Sequence, residues 1–486
     1  MPVREARYTL QLPAGWSYKV TWLNHAEQQP SGTNGTTWVL QDLKPIEVEE
    51  RMPPWRGIAG RMVVSVQPPN GMPRGFSSWS EMGRWYQDLA RDRAEPSAQI
   101  KQKVADLTQG SPTALDKMKR LSAFVQDDIR YVAIELGLGG LQPHSAADVF
   151  MHRYGDCKDK ATLLKSMLAL VGIESDYFII NTERGSITQD TPAHLGFDHV
   201  ILAISLPAGI EDPSVLAVSK DTPRGRILFF DPTDPMTPFG NLRGALQANY
   251  GLLVTPDGGV LMSTPKLASQ LTSIERTAHM TLDENGTLQG DVHEVWSGDR
   301  ASEQRAIARA SNQDTDRIKP VEAVVAGSLT SFDILKAAVT AVRVNDQPVE
   351  WNYTLEAPHY AKSAGNMLLV RPRLLGTKSS ALLETQHPRR FPIEFTGAER
   401  DSDVFEVELP KGYVVDELPA PVNEDYGFIA YHSKTEAVGH KLRYTRTFEI
   451  RDLSVPVDKA AQLKELYRII YQDERAQAVL EPTAGH

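Results

Sequence analysis

The period of the apolar residues changes along this chain of 486 residues, and that change restricts the fold more than any single residue does. In residues 1–70 apolar positions alternate, as in Tyr8-Thr9-Leu10-Gln11-Leu12, or run together, as in Gly60-Arg61-Met62-Val63-Val64-Ser65-Val66. Both patterns suit strands. Pro13-Ala14-Gly15 and Ser31-Gly32-Thr33-Asn34-Gly35 supply turns, and the Pro- and Gly-rich run from Pro68 to Phe76 reads as a linker. Helical spacing then takes over. Trp79, Met82, Tyr86 and Leu89 share a face, as do Leu115, Met118, Val125 and Ile129 on a helix opened by Ser111-Pro112. Gly137, Gly139, Gly140 and Pro143 break the pattern, so Tyr131 to Tyr154 reads as mostly loop. Ala161, Leu164, Leu168 and Val171 stripe a helix over about 157–171, which Gly172 ends. Strand-like runs follow at 177–180, 198–206 and 226–230.

After about residue 262 the alternation returns. His279-Met280-Thr281-Leu282 and Thr287-Leu288-Gln289-Gly290-Asp291-Val292 flank Asp283-Glu284-Asn285-Gly286, a hairpin signal. Helical stretches are expected near 303–310, 320–335 and 457–472, with strands at 404–409 and 441–450. The whole reads as an α+β multidomain protein, an α+β centre between two β-sandwiches. Roughly 150 residues per domain gives about three domains.

Fifty-two basic and 62 acidic residues leave a formal net charge of -10, without the basic footprint of a nucleic-acid binder. No window reaches the ~18 apolar residues of a membrane span. Met1-Pro2-Val3-Arg4-Glu5 lacks the apolar run of a signal peptide. The one cysteine, Cys157, excludes an intrachain disulfide framework and a multi-cysteine zinc site.

That cysteine lies in Arg153-Tyr154-Gly155-Asp156-Cys157-Lys158-Asp159-Lys160, upstream of the apolar stripe. Asp156 fits the N-cap, and Gly155 permits a sharp turn into the helix. Cys157 then sits in the first turn, where free N–H groups and the helix dipole favour a thiolate. Lys158 and Lys160 read as solvated. A thiol nucleophile needs a base, and the base an orienting acceptor. His199 opens the apolar strand Phe197-Asp198-His199-Val200-Ile201-Leu202, and Asp231 ends another in Leu228-Phe229-Phe230-Asp231-Pro232-Thr233. Singly, Cys157 reads as a small buried hydrophobe, His199 as a satisfied strand-end histidine and Asp231 as a turn residue. Jointly they read as helix-start Cys, strand His and next-strand Asp, which a sheet packed on the helix could assemble. The joint reading is favoured.

Tyr154-Gly155-Asp156-Cys157-Lys158-Asp159-Lys160-Ala161-Thr162-Leu163-Leu164, Phe197-Asp198-His199-Val200 and Phe230-Asp231-Pro232-Thr233 together resemble the bacterial transglutaminase-like superfamily. Tyr131-Val132, Leu141-Gln142-Pro143 and Ala146-Ala147-Asp148-Val149 also fit its core. The flanks resemble strand-rich domains of unknown function that accompany this core in bacterial envelope proteins. The resemblance implies a papain-like helix on an antiparallel sheet, with Cys157, His199 and Asp231 as the catalytic triad. It implies acyl transfer on a peptide or protein amide through a thioester, with peptidase or amidase activity preferred over cross-linking. The Cys157 N–H is a candidate oxyanion donor, with Gln142 and Tyr154 as weaker ones. No cofactor or metal is expected, and the partner is a peptide or protein substrate. The alternative is a non-catalytic envelope protein that binds peptides or assists assembly through a vestigial triad core. The implied location is periplasmic or extracytoplasmic, with the cytoplasm left open by the missing signal peptide. The expected domains are a partial N-terminal β-sandwich (1–70), a helical linker (71–104) and a catalytic core (105–258). A C-terminal β-sandwich region (259–456) and a helix with tail (457–486) complete them.

Other constellations carry less. His152, His194 and His199 lack the spacing and carboxylate support of a metal site. Asp283-Glu284-Asn285-Gly286 lacks the remaining ligands of a calcium loop. Asp198 should point to the opposite strand face from His199. Trp79, Trp85 and Tyr86 are expected to pack along a helix face rather than line a cleft.

Overall fold

The computed structural model describes residues 1–31, 36–69, 75–310, 319–381 and 387–483. The expected turn at 32–35 and part of the Pro68–Phe76 linker lie outside the described residues. Two units form. The first holds Met1–Pro235 and Phe239–Lys266, and the second holds Met236–Pro238 and the chain from Leu267 onward.

In the first unit, strands Val3–Thr9 and Thr37–Leu43 pair antiparallel, as do Ser17–Leu23 and Arg61–Gln67, giving separate two-stranded sheets. Their aromatic residues meet where Tyr18 packs edge-on against buried Trp38, 5.8 Å between ring centroids. The rest of the unit is a six-stranded antiparallel sheet covered by helices. Its strand order is Gly258–Ser263, Tyr250–Thr255, Ser175–Ile180, His199–Ser205, Ile227–Phe230, Val218–Ser219. The strands Ser175–Ile180 and Ile227–Phe230 are buried along their whole length, as runs of apolar residues covered on both faces should be. Helices Trp79–Leu89, Ala98–Thr108, Ala114–Asp128 and Cys157–Ala169 share one apolar core with this sheet. The Cys157–Ala169 helix lies in the middle of that core, packed on His199–Ser205.

Two local expectations need correction. The third helix is capped by Thr113, whose hydroxyl accepts the Asp116 N–H, so the chain enters it two residues later than Ser111-Pro112 suggested. Between Tyr131 and Tyr154 the structure adds a helix, Ala146–His152, capped by Ser145. It has only two buried residues, Ala146 and Val149, too few for a periodic signal.

The second unit is built on an eight-stranded sheet. The order is Asp333–Thr340, Val349–Ala357, Leu288–Trp296, Ser273–Leu282, Glu399–Glu408, Lys441–Ile450, Ile429–Val438, Val422–Asp425. Its central pair, Ser273–Leu282 with Glu399–Glu408, is parallel and the others are antiparallel. A four-stranded sheet shares one apolar core with it, through Leu368, Val370, Ala478 and Leu480. Helix Ala460–Asp473 packs Leu463, Leu466 and Ile470 into a second cluster over Ile429 and Phe448. The helix expected over 320–335 is shorter, Lys319–Ala326, and Asp333–Thr340 is instead an edge strand.

Candidate active site

Cys157 is the first residue of its helix, and the turn before it is tightly specified. Asp156 is the N-cap, accepting the Asp159 N–H, while Asp159 accepts the Asp156 N–H at 3.2 Å, a reciprocal capping box. Asp159 also accepts the His144 N–H at 2.8 Å and lies 3.1 Å from His144 Nδ1, which ties the preceding loop to the helix start. Gly155 has no substitute here, because a Cβ would come within 2.5 Å of the Asp159 Cβ. The short parallel pairing of Arg130–Tyr131 with Tyr154–Gly155 anchors the same turn from the other side.

The sheet delivers the other two groups. His199 is the first residue of its strand, opposite Ile180. The antiparallel ladder pairs Phe230 with Leu202, so Asp231, one residue further, is carried back toward the start of the His199 strand. His199 Nε2 lies 2.8 Å from Asp231 Oδ2, and the Cys157 thiol is near enough to the same imidazole to help raise its pKa. With Nε2 engaged, Nδ1 is the nitrogen left for sulfur. Asp231 Oδ1 accepts the Thr233 N–H at 2.9 Å and its hydroxyl at 2.7 Å, so both carboxylate oxygens are held. Cys157 and Asp231 are buried, and the His199 side chain is 12% exposed.

Burial alone would push the His199 imidazolium down. The charge and hydrogen bond of Asp231, with those of Cys157, outweigh it and raise His199 to about 10. Burial likewise pushes Asp231 up, but His199 and Thr233 hold it below the ordinary carboxylate value. At neutral pH the structure therefore keeps a proton on His199 and a charge on Asp231.

The flanking lysines correct the expectation that they are solvated. Lys158 is buried and bonded to Asp156, and burial raises Asp156 while Lys158 opposes that. Lys160 is 1% exposed and donates to the carbonyls of Ile129 at 2.7 Å and Gln126 at 3.3 Å, at the C-terminus of the Ala114–Asp128 helix. That end of a helix attracts cations. Burial pulls Lys160 down to about 8, against the nearby charges of Asp231, Asp127 and Asp234. Its spacing held the clue, since Lys160 falls between Cys157, Ala161 and Leu164 on the inward face.

Two tyrosines, one expected on a helix face and one in the stretch that resembles the family core, are also electrostatically coupled to the sulfur. Tyr131, half exposed and paired with Gly155, is raised to about 12 by burial and by the charges of Cys157, Asp156, Glu135 and Asp231. Tyr86 is fully inside, raised by burial and by Tyr177, Cys157, Asp156 and Asp159. Gln142 gives Nε2 to the Leu89 carbonyl at 2.9 Å, and Tyr154 is partly exposed beside His152. Asp198 accepts the Thr182 N–H and hydroxyl, one on each carboxylate oxygen. Trp79 packs against Phe197 and donates to the Thr191 carbonyl at 3.1 Å. The three histidines considered for a metal do not converge. His194 lies 2.9 Å from the Pro192 carbonyl, the His152 ring is tilted against Tyr154 at 6.0 Å and His199 faces Asp231.

A buried Cys–His–Asp arrangement on a helix and an antiparallel sheet defines a cysteine-protease-like core. Residues 101–195 match the model of the transglutaminase-like superfamily. The matched stretch contains Cys157 and stops before His199. Residues 366–480 match DUF3858, a domain of unknown function with a solved structure. The fold is similar to that of a "putative protease" from Parabacteroides distasonis ATCC 8503, at 12% identity and a TM-score of 0.58. That likeness covers 99% of this chain and 72% of the other. A "putative cysteine protease" from Cytophaga hutchinsonii aligns over 54% of this chain and 76% of its own, at 13% identity and a TM-score of 0.22. Among curated proteins, none matches the chain. No helix among the described residues is long and apolar enough to cross a membrane.

Proposed function

We propose that the first unit is a cysteine acyl hydrolase or acyltransferase acting on peptide or protein amides, with hydrolysis preferred over cross-linking. The observation that carries this reading is one imidazole that lies 2.8 Å from Asp231 and close enough to the Cys157 thiol for the sulfur to help raise its pKa. Cys157 Sγ attacks the amide carbonyl carbon, and the Cys157–His199 pair holds the proton that the leaving amine needs. The tetrahedral oxygen develops its charge at the first turn of the Cys157–Ala169 helix. There the Cys157 N–H has no acceptor within the helix. The carbon–nitrogen bond breaks, His199 protonates the amine, and the acyl group remains on sulfur as a thioester. Water or a second amine then attacks that carbonyl, gives its proton to His199, and frees the thiol. Asp231 holds the ring in place and stabilises its positive form throughout.

The test is intact-mass analysis of the full chain after incubation with a mixed peptide library, with and without hydroxylamine. An acyl adduct on Cys157 that hydroxylamine removes, absent in Cys157→Ala, is the expected result. Peptides bound without any adduct, with Cys157 alkylated at the rate of a free thiol, would instead identify a binding module.

A further inference from the structure

The second unit carries a cleft whose charge is opposite to that of the chain as a whole. It has a volume of about 430 Å³. Its walls come from the turn after helix Lys319–Ala326, the segment following strand Met367–Val370, and the end of helix Ala460–Asp473. Four cations line it, Lys362, Arg371, Arg373 and Arg475, against one carboxylate, Glu474. Four positive charges less one negative leave a local balance of +3, in a chain whose formal net charge is -10.

Glu474 is already committed elsewhere. Its oxygens accept the N–H groups of Lys378 at 2.5 Å and Ser379 at 3.2 Å, and Arg446 Nη1 at 3.5 Å. Among the described residues, no carboxylate forms an ion pair with any of the four lining cations. Arg371 gives Nη2 to the Ser328 carbonyl at 3.2 Å, and Arg475 lies over the Tyr471 ring at 4.2 Å. Arg373 is the decisive residue. It is 4% exposed, it gives Nη1 to Thr377 Oγ1 at 3.2 Å, and its Nε has no partner among the described residues. Burial lowers its guanidinium from the ordinary value, with Glu474 opposing and Arg446 and Arg371 adding to the effect. A guanidinium taken out of water without an anion is costly, and the cost is relieved when an anion arrives.

We propose that this cleft binds a phosphate-type oxyanion, with Arg373 as its buried anchor and Arg371, Arg475 and Lys362 around its mouth. A phosphate ester carries about -1.5 to -2 charges and three acceptor oxygens, which suits several guanidinium forks better than a single carboxylate does. At ~30 Å³ per water the cleft is too wide for a bare ion, so the group is carried on a larger molecule. A soluble phosphoester and a lipid headgroup share this chemistry. The site does not depend on Cys157 or its proposed reaction.

The test uses the full chain at about physiological ionic strength, with pyrophosphate titrated by calorimetry. The comparison protein is the double variant Arg371→Gln/Arg475→Gln, whose side chains are not buried; equal melting temperatures without ligand establish that both proteins fold. Saturable binding by the wild type, weakened at least about tenfold in the double variant, is the expected result. Arg373→Lys, which keeps the charge and loses the planar fork, should weaken binding as well. Sedimentation with phosphatidylglycerol vesicles, against phosphatidylcholine alone, separates the sources. Wild-type cosedimentation that the double variant loses assigns a lipid headgroup, and pyrophosphate binding without cosedimentation assigns a soluble phosphoester. Binding of neither probe by the wild type, or equal binding by the double variant, overturns the proposal.

Discussion

Charge is buried in both units, but with different company. In the first, Asp231 and His199 form a pair whose outer partner is a thiol, a group that can react. In the second, the charges form a row across neighbouring strands. The strand register sets Glu294 opposite Arg276, Arg276 beside Asp403, and Asp403 opposite Arg446. Arg276 lies 3.2 Å from Glu294, 3.1 Å from Asp403 and 3.4 Å from Asp401, and Lys378 also pairs with Asp401. These side chains are at most 13% exposed. Burial pushes Arg276 down, yet the three carboxylates raise it, and Lys378 with Arg276 holds Asp401 at about 2 despite its burial. Every charge in the row meets an opposite one, and none is left facing a nucleophile. Desolvated charge alone therefore does not mark a reactive site; a reactive atom at the end of the network does.

Four predictions sharpen that contrast. Cys157→Ala should lower peptide turnover by more than about 10³-fold while leaving the melting temperature unchanged, since the loss is chemical. Arg276→Met should do the reverse. Leaving Glu294, Asp401 and Asp403 without their cation should cost about 3–5 kcal/mol in urea unfolding of the second unit, with Cys157 alkylation unaffected. An undiminished stability in Arg276→Met would remove the basis for calling the row structural.

The third prediction concerns pH. His199 is raised from 6.5 to about 10, so the stability it draws from Asp231 is fully present below about 6.5. It is lost as pH climbs through about 10. Denaturant unfolding of wild type and His199→Gln should show a gap that narrows across that range, and a constant gap would deny the pairing. The smallest effect has the opposite sign. Lys160 is lowered from 10.5 to about 8, so the unfolded chain binds more protons between those values and stability rises with pH there. Lys160→Met should lack that rise in the same experiment.

Apart from the set Cys157, His199 and Asp231, which separate motifs named together, what could be read from sequence was local. The Asp283–Gly286 turn was legible because its chemistry is complete within four residues. Asp283 Oδ1 accepts the N–H groups of Asn285 and Thr287, and Gly286 supplies the positive φ of 82°. The N-cap at Asp156 was legible for the same reason. The parallel pairing of Ser273–Leu282 with Glu399–Glu408 was not, because alternation assigns a strand's faces and says nothing of its neighbour. Hence Arg276 and Asp403 gave no sign of meeting. Lys158 and Lys160 were misread because a charge run looks solvated until the packing around it is known. The Asp333–Thr340 strand was absorbed into the preceding helix because its sheet-edge residues are half exposed and only weakly patterned.

The most direct measurement is the rate of Cys157 alkylation by iodoacetamide near neutral pH, followed by intact mass, in wild type and in His199→Ala. A wild-type rate at least about 10²-fold above that of the variant, with both proteins folded, is the result expected of an imidazole that shares its proton with the sulfur. Equal rates would contradict it, leaving Cys157 a buried thiol that happens to lie beside a histidine.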